Sequence, residues 1–363
     1  MEYLLNVEHL TTAFRTYDGE IIAVNDVSLK VRKGEILGLV GESGCGKSVT
    51  SLSIMGLLPK KTSRIKSGRI EFDGQDLTCF SQKQYSKIRG ADLAMIFQEP
   101  MTSLNPVFTI ENQLREVLQN HNKSLSKKDC RERILEILNK VGIPGAENVM
   151  KQYPHQLSGG MRQRVMISMA LANHSKLLIA DEPTTALDVT IQAQILQLLK
   201  KLAREEGLTI ILITHDLSVV AEVCDRVAVM YCGRFVERAP RDEFFHNPQH
   251  PYSQGLLSCI PSIGMGDQEL PFIPGNVMHP ADDQGGCSFA PRCPYATDQC
   301  REGVPPMYQI SEEHAGRCWR FEGCDLAEEE LPPASEEGEG VKEESPFSPE
   351  EKAQKQQEGG ETE

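Results

Sequence analysis

Residues 41–48 of the 363-residue chain read GESGCGKS, which fits the pattern G-x-x-x-x-G-K-[ST]. The apolar stretch EILGLV precedes this segment and predicts a buried strand, and a run with helical spacing follows Lys47. A strand, a glycine-rich turn and a helix in this order predict a phosphate-binding P-loop. The glycines let backbone N–H groups close around phosphate oxygens, and the helix N-terminus adds positive potential.

Within this loop, the residue types predict contacts with a nucleotide. Lys47 is expected to reach the β- and γ-phosphates, and the hydroxyl of Ser48 to bind Mg²⁺. Cys45 could have its thiol pKa lowered by the helix N-terminus, but we interpret it as a small filler residue. The expected ATP-binding positions of this segment are Gly41, Ser43, Gly44, Cys45, Gly46, Lys47, Ser48 and Val49.

A second element of the same site is predicted about 135 residues after the P-loop. The run KLLIAD ends in Asp181 and predicts a buried strand that delivers this carboxylate to Mg²⁺ beside Ser48. Glu182 follows directly and would turn toward the γ-phosphate to hold the attacking water. An Asp-Glu pair after a strand is often an ordinary turn, but its combination with a P-loop favours the catalytic interpretation.

The segment Leu157-Ser-Gly-Gly-Met161 opens a predicted helix and forms a second candidate anion site. Exposed backbone donors, the hydroxyl of Ser158 and the positive end of the helix dipole all favour a phosphate group there. One nucleotide does not use two such sites on one domain without a reason, so this segment needs an explanation beyond the P-loop.

With these motifs in order, residues 1–260 resemble the ATP-binding cassette (ABC) ATPases. Gln98 matches the Q-loop glutamine of that family, and His215, after the strand-like run LTIILIT, matches its switch histidine. Tyr17 resembles the aromatic residue that stacks on adenine, with Phe14 as the alternative. Further matches to nucleotide-contacting positions of the signature motif and the D-loop are Ser158, Gly159, Gly160, Met161 and Asp188.

The resemblance implies an α/β fold and a mechanism. It implies a nucleotide-binding domain over residues 1–260, with a RecA-like core, an antiparallel β-subdomain and a helical subdomain at about residues 100–173. Two such domains would form a head-to-tail dimer that sandwiches ATP. Glu182, His215 and Lys47 would carry out hydrolysis, and Ser48, Gln98 and Asp181 would bind Mg²⁺.

Three longer stretches narrow the class: GESGCGKSVTSLSIMGLLP, FQEPMTSLNP and YPHQLSGGMRQRVMISMAL. Together they resemble the ATPase subunits of oligopeptide and dipeptide importers, as does HNPQHPYSQGLLSCIP at residues 246–261. The implied partners are membrane permease subunits and, indirectly, an extracytoplasmic binding protein. Met161 replaces the commoner glutamine of the signature. In this family that methionine marks one of two paralogous ATPases, and the other carries the glutamine. A heterodimer and a homodimer both remain open, and relatives that carry nickel or short saccharides use similar ATPases.

Charge and hydropathy exclude several other classes. The chain has 38 Lys and Arg against 52 Asp and Glu, a net charge of −14. Residues 325–363 hold 14 acidic and 3 basic residues, so the preceding 324 residues carry only −3. This nearly neutral body argues against a nucleic-acid partner, and the composition of the acidic tail predicts disorder. We find no run of 18 apolar residues and no signal peptide, so we expect a peripheral protein at the cytoplasmic face of the membrane.

A cysteine-rich extension is predicted over residues 261–324, where apolar residues are too few for a large core. In a reducing compartment, thiols there are more suited to metal than to disulfides. The spacing suits a [4Fe–4S] cluster somewhat better than zinc, and unmetallated thiols remain a third interpretation. The expected ligands are Cys287, Cys293, Cys300 and Cys318, with Cys324 as a possible substitute.

Two other classes of function compete with the importer subunit. One is a soluble ABC-type switch that works in DNA repair or translation without a permease. Such proteins usually carry coiled-coil insertions or two cassettes, and this sequence has one P-loop. The other is an iron–sulfur redox module regulated by ATP, against which the complete set of hydrolytic motifs argues.

Overall fold

The computed structural model describes residues 2–17, 19–98, 103–185, 187–260, 272–278, 280–282 and 285–328. Parts of four predictions lie outside these ranges. They are the stretch after Gln98 at residues 99–102, residue 186 beside the D-loop match at Asp188, residues 261–271, 279 and 283–284 of the cysteine-rich extension, and the acidic tail from residue 329 onward. Backbone contacts group Met1–Glu330 into one compact unit, and the remaining Leu331–Glu363 lies outside the described residues.

The strands form two sheets. The first is antiparallel in the order β2-β1-β4-β5, and the second has the order β11-β12-β10-β9-β3-β8-β7-β6. The strands are β1 (Tyr3–Thr16), β2 (Gly19–Arg32), β3 (Ile36–Val40), β4 (Ser63–Phe72), β5 (Gln75–Asp76), β6 (Leu93–Ile96), β7 (Leu177–Asp181), β8 (Thr209–Ile213), β9 (Arg226–Tyr231), β10 (Arg234–Pro240), β11 (Tyr308–Gln309) and β12 (Ala315–Gly316). The first sheet is the antiparallel subdomain that the family resemblance implies.

The centre of the second sheet is parallel from β9 through β6. Every residue of β3, β7 and β8 is buried, which is the pattern of a parallel sheet covered on both faces. The carboxyl ends of β3, β8, β7 and β6 therefore lie side by side at one edge. Each of these ends leads into a predicted site segment, and this arrangement assembles the site.

Several helices follow one another between Ile110 and Leu171, within the span of about residues 100–173 predicted to be a helical subdomain. Thr109, Ser126 and Ser158 cap its three longer helices through their side chains. The helices are α1 (Lys47–Ile54), α2 (Gln82–Ile88), α3 (Ile110–His121), α4 (Lys127–Lys140), α5 (Ala146–Val149), α6 (Gly159–Leu171), α7 (Val189–Glu206), α8 (Leu217–Val223), α9 (Arg241–His246), α10 (Pro251–Ser258) and α11 (Gln299–Glu302).

The cysteine-rich segment does not form a compact unit apart from the cassette. Strand β12 pairs with β10 and so extends the central sheet, and the ring of Phe289 packs against Tyr231 and Tyr252. The segment thus uses the main core in place of a core of its own. Order also continues past residue 325, where disorder was predicted to begin: Leu326 bridges to Tyr308, and Ala327 is buried.

Candidate nucleotide-binding and catalytic site

The P-loop joins β3 to α1 as predicted. The ammonium of Lys47 is almost buried and donates to the carbonyls of Gly41 at 2.7 Å and Glu42 at 2.9 Å. Gly41 has a φ of 149°, and a Cβ there would lie 2.2 Å from the carbonyl oxygen of Met230. Only glycine fits at this position, because the strand that carries Met230 closes against the loop.

The other loop positions divide into an open face and a packed face. Ser43, Gly44 and Ser48 are exposed, where a phosphate group has access to them. Cys45 is buried and Val49 packs partly buried against the core. Burial raises the pKa of the Cys45 thiol despite the neighbouring charge of Lys47, so the filler interpretation describes this residue and a lowered pKa does not.

Asp181 ends strand β7 next to the P-loop. The side chain of Ser48 lies close enough to this carboxylate to lower its pKa, so the two side chains predicted to bind Mg²⁺ are neighbours. Burial raises the pKa of Asp181, and the charge of Glu182 acts in the same direction. A divalent cation beside this carboxylate would favour its ionised form, so the pair fits Mg²⁺ in its chemistry.

Glu182 is held by side chains from three segments. Its Oε1 lies 3.0 Å from Nδ1 of His215, and its Oε2 accepts from Nε2 of Gln98 at 2.8 Å. The hydroxyl of Thr185 donates to the same Oε2 at 2.9 Å. Burial acts to raise the pKa of Glu182, but these hydrogen bonds outweigh burial and lower it. The carboxylate is therefore ionised and oriented, as a base that positions water must be.

The backbone at Glu182 is strained. Its φ is 47°, in the left-handed region that favours glycine, and its N–H donates to the carbonyl of Ile213 at 2.9 Å. The hydrogen bond to β8 holds the turn that aims this side chain out of the sheet edge. The contact from Thr185 is not among the sequence predictions, since a threonine in a turn has no distinctive signal without the geometry of Glu182.

The signature segment begins helix α6. Ser158 is exposed and caps the helix by accepting from the N–H of Met161 at 3.3 Å. Gly160 is buried, and a Cβ there would lie 2.5 Å from Cγ2 of Ile191 on α7. Gly159 has more room, with Leu187 as its nearest neighbour at 3.4 Å. The N-terminus of α6 is thus packed tightly on α7 and open toward the outside.

Two further residues, Asp188 and Tyr17, are predicted to contact the nucleotide. The carboxylate of Asp188 caps α7 by accepting from the N–H of Ile191 at 3.0 Å. Tyr17 directly follows β1 and is fully exposed, with a relative accessibility of 108%. Its ring is therefore free to stack on a planar group.

The four predicted cysteine ligands come together. Cys287, Cys293, Cys300 and Cys318 all line one cavity of about 160 Å³, whereas the exposed Cys324 does not. Burial is the main cause that raises the pKa of the Cys287 thiol, to about 11, and the other three thiols add to it. Within the described ranges, however, no group of three or more His, Cys, Asp or Glu side chains is arranged to hold a metal ion.

Parallel strands that bring a P-loop, an aspartate and an oriented glutamate to one edge of an α/β core are typical of the nucleotide-binding subunit of an ABC ATPase. Comparisons with known proteins agree with this assignment. The family model described as ABC transporter matches residues 24–185, and the model described as oligopeptide/dipeptide transporter, C-terminal region, matches residues 236–300.

Relatives and solved structures define the family further. The chain is 52% identical to the oligopeptide transport ATP-binding protein AppD of Bacillus subtilis, over 89% of this chain and 98% of that protein. It is 51% identical to the dipeptide transport ATP-binding protein DppD of the same organism, over 88% and 95%. The dimeric ATP-binding cassette MJ0796, solved in a post-hydrolysis state with ADP and phosphate, has a TM-score of 0.59 at 31% identity, over 65% of this chain and 98% of that one. The chain therefore belongs to the ABC transporter ATP-binding proteins of the oligopeptide/dipeptide family.

Proposed function

We propose that this protein is the ATP-hydrolysing subunit that energises import of dipeptides or oligopeptides through a membrane permease. The observation that carries this proposal is the carboxylate of Glu182, held by Gln98, His215 and Thr185. The chain matches nearly the whole length of AppD and DppD, an oligopeptide and a dipeptide transport ATP-binding protein, and these relatives supply the substrate class.

Hydrolysis would proceed by attack of water on the γ-phosphate. Glu182 orients and deprotonates that water, and His215 steadies the carboxylate while contacting the γ-phosphate through its exposed side. Lys47 would turn from the loop carbonyls to the β- and γ-phosphates. Mg²⁺, when bound by Ser48, Asp181 and Gln98, neutralises charge on the phosphates. Tyr17 would stack on adenine.

A second subunit would complete the site. Ser158 and Met161 begin a helix whose open end provides phosphate donors, and these residues are expected to contact the nucleotide of a partner cassette. MJ0796, a structural relative, forms a dimer. Met161 favours a paralogous ATPase as the partner, and a homodimer is the alternative.

A groove of about 400 Å³ beside the Q-loop would receive the permease. Its lining is almost entirely apolar, and Phe97, one residue before Gln98, is exposed within it. Such a groove suits an apolar face of a helix. The described residues contain no helix that could cross a membrane, and we propose peripheral attachment at the cytoplasmic face through this groove. The principal lining residues are Met55, Leu57, Met95, Leu104, Met166 and Met169.

The cysteine cavity is proposed to hold a [4Fe–4S] cluster. Four thiols around one cavity match the number of ligands that such a cluster needs. Among the described residues no group of three or more His, Cys, Asp or Glu side chains is arranged to hold a metal ion. The number of thiols around the cavity therefore carries this proposal, and zinc stays the alternative. The cysteine-rich segment also packs on the main core through Phe289 and β12. A bound cluster would therefore add to the stability that this packing already provides.

Reconstitution in lipid vesicles tests the proposed function. The chain, its paralogue and the permease subunits should hydrolyse ATP faster when a peptide-loaded binding protein is added. The isolated chain should be a weak ATPase whose rate per subunit falls on dilution, and Lys47→Ala should abolish turnover. If a binding protein loaded with nickel or a saccharide stimulates hydrolysis and the peptide-loaded one does not, the proposed substrate class is wrong. A rate independent of the permease would favour the soluble switch.

The groove has its own test. Phe97→Asp should prevent co-purification with the permease while ATP binding is retained, because it puts a charge into an apolar contact. Phe272→Asp is the matched control, since Phe272 is also exposed but lies outside the groove lining. Equal co-purification of both variants would contradict this docking site.

A further inference from the structure

Arg292, in the cysteine-rich segment, forms an ion pair with the second residue of the P-loop. Its guanidinium donates from both terminal nitrogens to the carboxylate of Glu42, at 2.7 Å and 3.1 Å. The Arg292 side chain is only 4% exposed, and that of Glu42 is 27% exposed. A bidentate ion pair with one buried partner has a specific geometry, and solvent screens it only weakly.

Glu42 is tied to the nucleotide site through its backbone. Its carbonyl accepts from the ammonium of Lys47 at 2.9 Å, and its N–H donates to the hydroxyl oxygen of Tyr252 at 2.9 Å. The side chain, carbonyl and amide of one loop residue are therefore all engaged. Any shift of Arg292 is transmitted to the peptide units that flank Glu42, and so to the loop that is expected to close around phosphates.

Arg292 also contacts a second segment of the chain through the same guanidinium. Its Nε donates to the carbonyl of Pro274 at 3.0 Å, and Cys293, one of the four cavity thiols, follows it in the chain. Phe289, three residues earlier, both lines the thiol cavity and packs on the ring of Tyr252. The cavity wall and the support of the P-loop thus share the same short segment, residues 289–293.

We propose that Arg292 is a positioning residue for the P-loop, through which the state of the four-cysteine cavity sets the affinity of the subunit for ATP. The proposal rests on the proposed ATPase function but does not depend on which metal the thiols hold. An ordered cavity keeps Arg292 on Glu42 and keeps the loop in the form that binds phosphate. Disorder in the cavity releases Arg292, and the loop loses its support.

The test measures binding of a non-hydrolysable ATP analogue to the full-length protein by calorimetry. Arg292→Gln and Glu42→Gln should each weaken binding by about fivefold or more, within the usual range for coupled sites. The affinity of the double variant for the analogue should equal that of the single variant with the lower affinity, because both changes remove the same interaction. Arg292→Lys keeps the charge but loses the bidentate geometry, so its affinity should lie between those of Arg292→Gln and the wild type.

Arg301→Gln is the matched control, since Arg301 is an exposed arginine of the same segment whose ion pair is with Asp298 and not with the P-loop. It should bind the analogue as the wild type does. Cys293→Ser should weaken binding in the wild-type background and have no further effect when combined with Arg292→Gln. Equal effects of Cys293→Ser in both backgrounds would overturn the link to the cavity.

Failure of this inference is distinct from failure of the proposed function. If the wild type binds the analogue no better than Lys47→Ala, the ATPase assignment fails. If Lys47→Ala loses binding but Arg292→Gln, Arg292→Lys and Glu42→Gln all bind as the wild type does, the positioning role of Arg292 is wrong. Should Arg292→Gln not fold, Arg292→Lys and Glu42→Gln decide the same question.

Discussion

Nε2 of Gln98 donates to Oε2 of Glu182 at a distance of 2.8 Å. Gln98 follows strand β6 by two residues, and the preceding Phe97 lines the apolar groove proposed for the permease. One hydrogen bond therefore connects the residue proposed to activate water with the segment that borders the partner surface. A displacement of this segment would change the orientation of the carboxylate, which gives the transport cycle a direct physical route to hydrolysis.

Glu182→Gln is expected to lower ATP turnover at least about 100-fold in the presence of the permease, because it removes a positioned base. ATP binding should be retained, since Lys47 and the P-loop are unchanged, and the ATP-bound dimer should accumulate. Turnover and nucleotide binding are measured on the same preparation. Glu205→Gln, on the exposed face of α7, is the control and should turn over normally. Near wild-type turnover of Glu182→Gln would assign the base to another residue.

The core of this site could be predicted from sequence because its signals are local. The P-loop spacing around Lys47 and the strand that ends in Asp181 each specify a short piece of backbone. Parallel pairing of the strands then brings the pieces together, so the meeting of Gln98 and His215 on Glu182 follows from strand order.

The contacts that could not be predicted are those between distant segments without a periodic pattern. The pair between Glu42 and Arg292 joins positions 250 residues apart, and no spacing rule relates them. The cysteine-rich segment was expected to lack a core because its own apolar residues are few. Its use of the main core, through Phe289 and β12, is a property of tertiary packing and not of local composition.

Gly160→Ala is expected to destabilise the protein by about 1–2 kcal/mol. Its Cβ would lie 2.5 Å from Cγ2 of Ile191, so α6 and α7 must move apart, and the gain in helix propensity offsets only part of this cost. Urea unfolding measures the change. Adding Ile191→Ala should make the cost of Gly160→Ala smaller, and Gly159→Ala, whose nearest neighbour is 3.4 Å away, should have little effect. Equal losses for both glycines would show that packing on Ile191 is not the cause.

The cysteine cavity predicts a specific pattern of metal content. Protein purified without oxygen should be brown and contain about four irons per chain, and Cys300→Ser should lose most of this iron because Cys300 lines the cavity. Cys324→Ser is the control, since that thiol is exposed and outside the cavity lining, and it should keep the full iron content. A colourless protein with one zinc per chain, or iron loss in Cys324→Ser but not in Cys318→Ser, would contradict this ligand set.

His250 is expected to make the C-terminal part of the fold sensitive to acid. Burial lowers the pKa of its imidazole from 6.5 to about 4, and the charge of Arg320 adds to this effect against the opposing charge of Glu237. As the pH falls from about 6.5 toward 4, the unfolded chain binds a proton that the folded chain does not bind. The free energy of unfolding should therefore fall by up to about 3 kcal/mol.

Trp319, the single tryptophan of the chain, lines the same cavity as His250 and reports this unfolding by fluorescence. His250 caps helix α10 by accepting from the N–H of Tyr252 at 3.1 Å, a role that asparagine can fill. His250→Asn keeps this cap but removes the buried ring that packs near Phe289, so it should be less stable than the wild type at pH 7. It should nevertheless lose less stability in acid, and an unchanged acid slope would show that another group titrates.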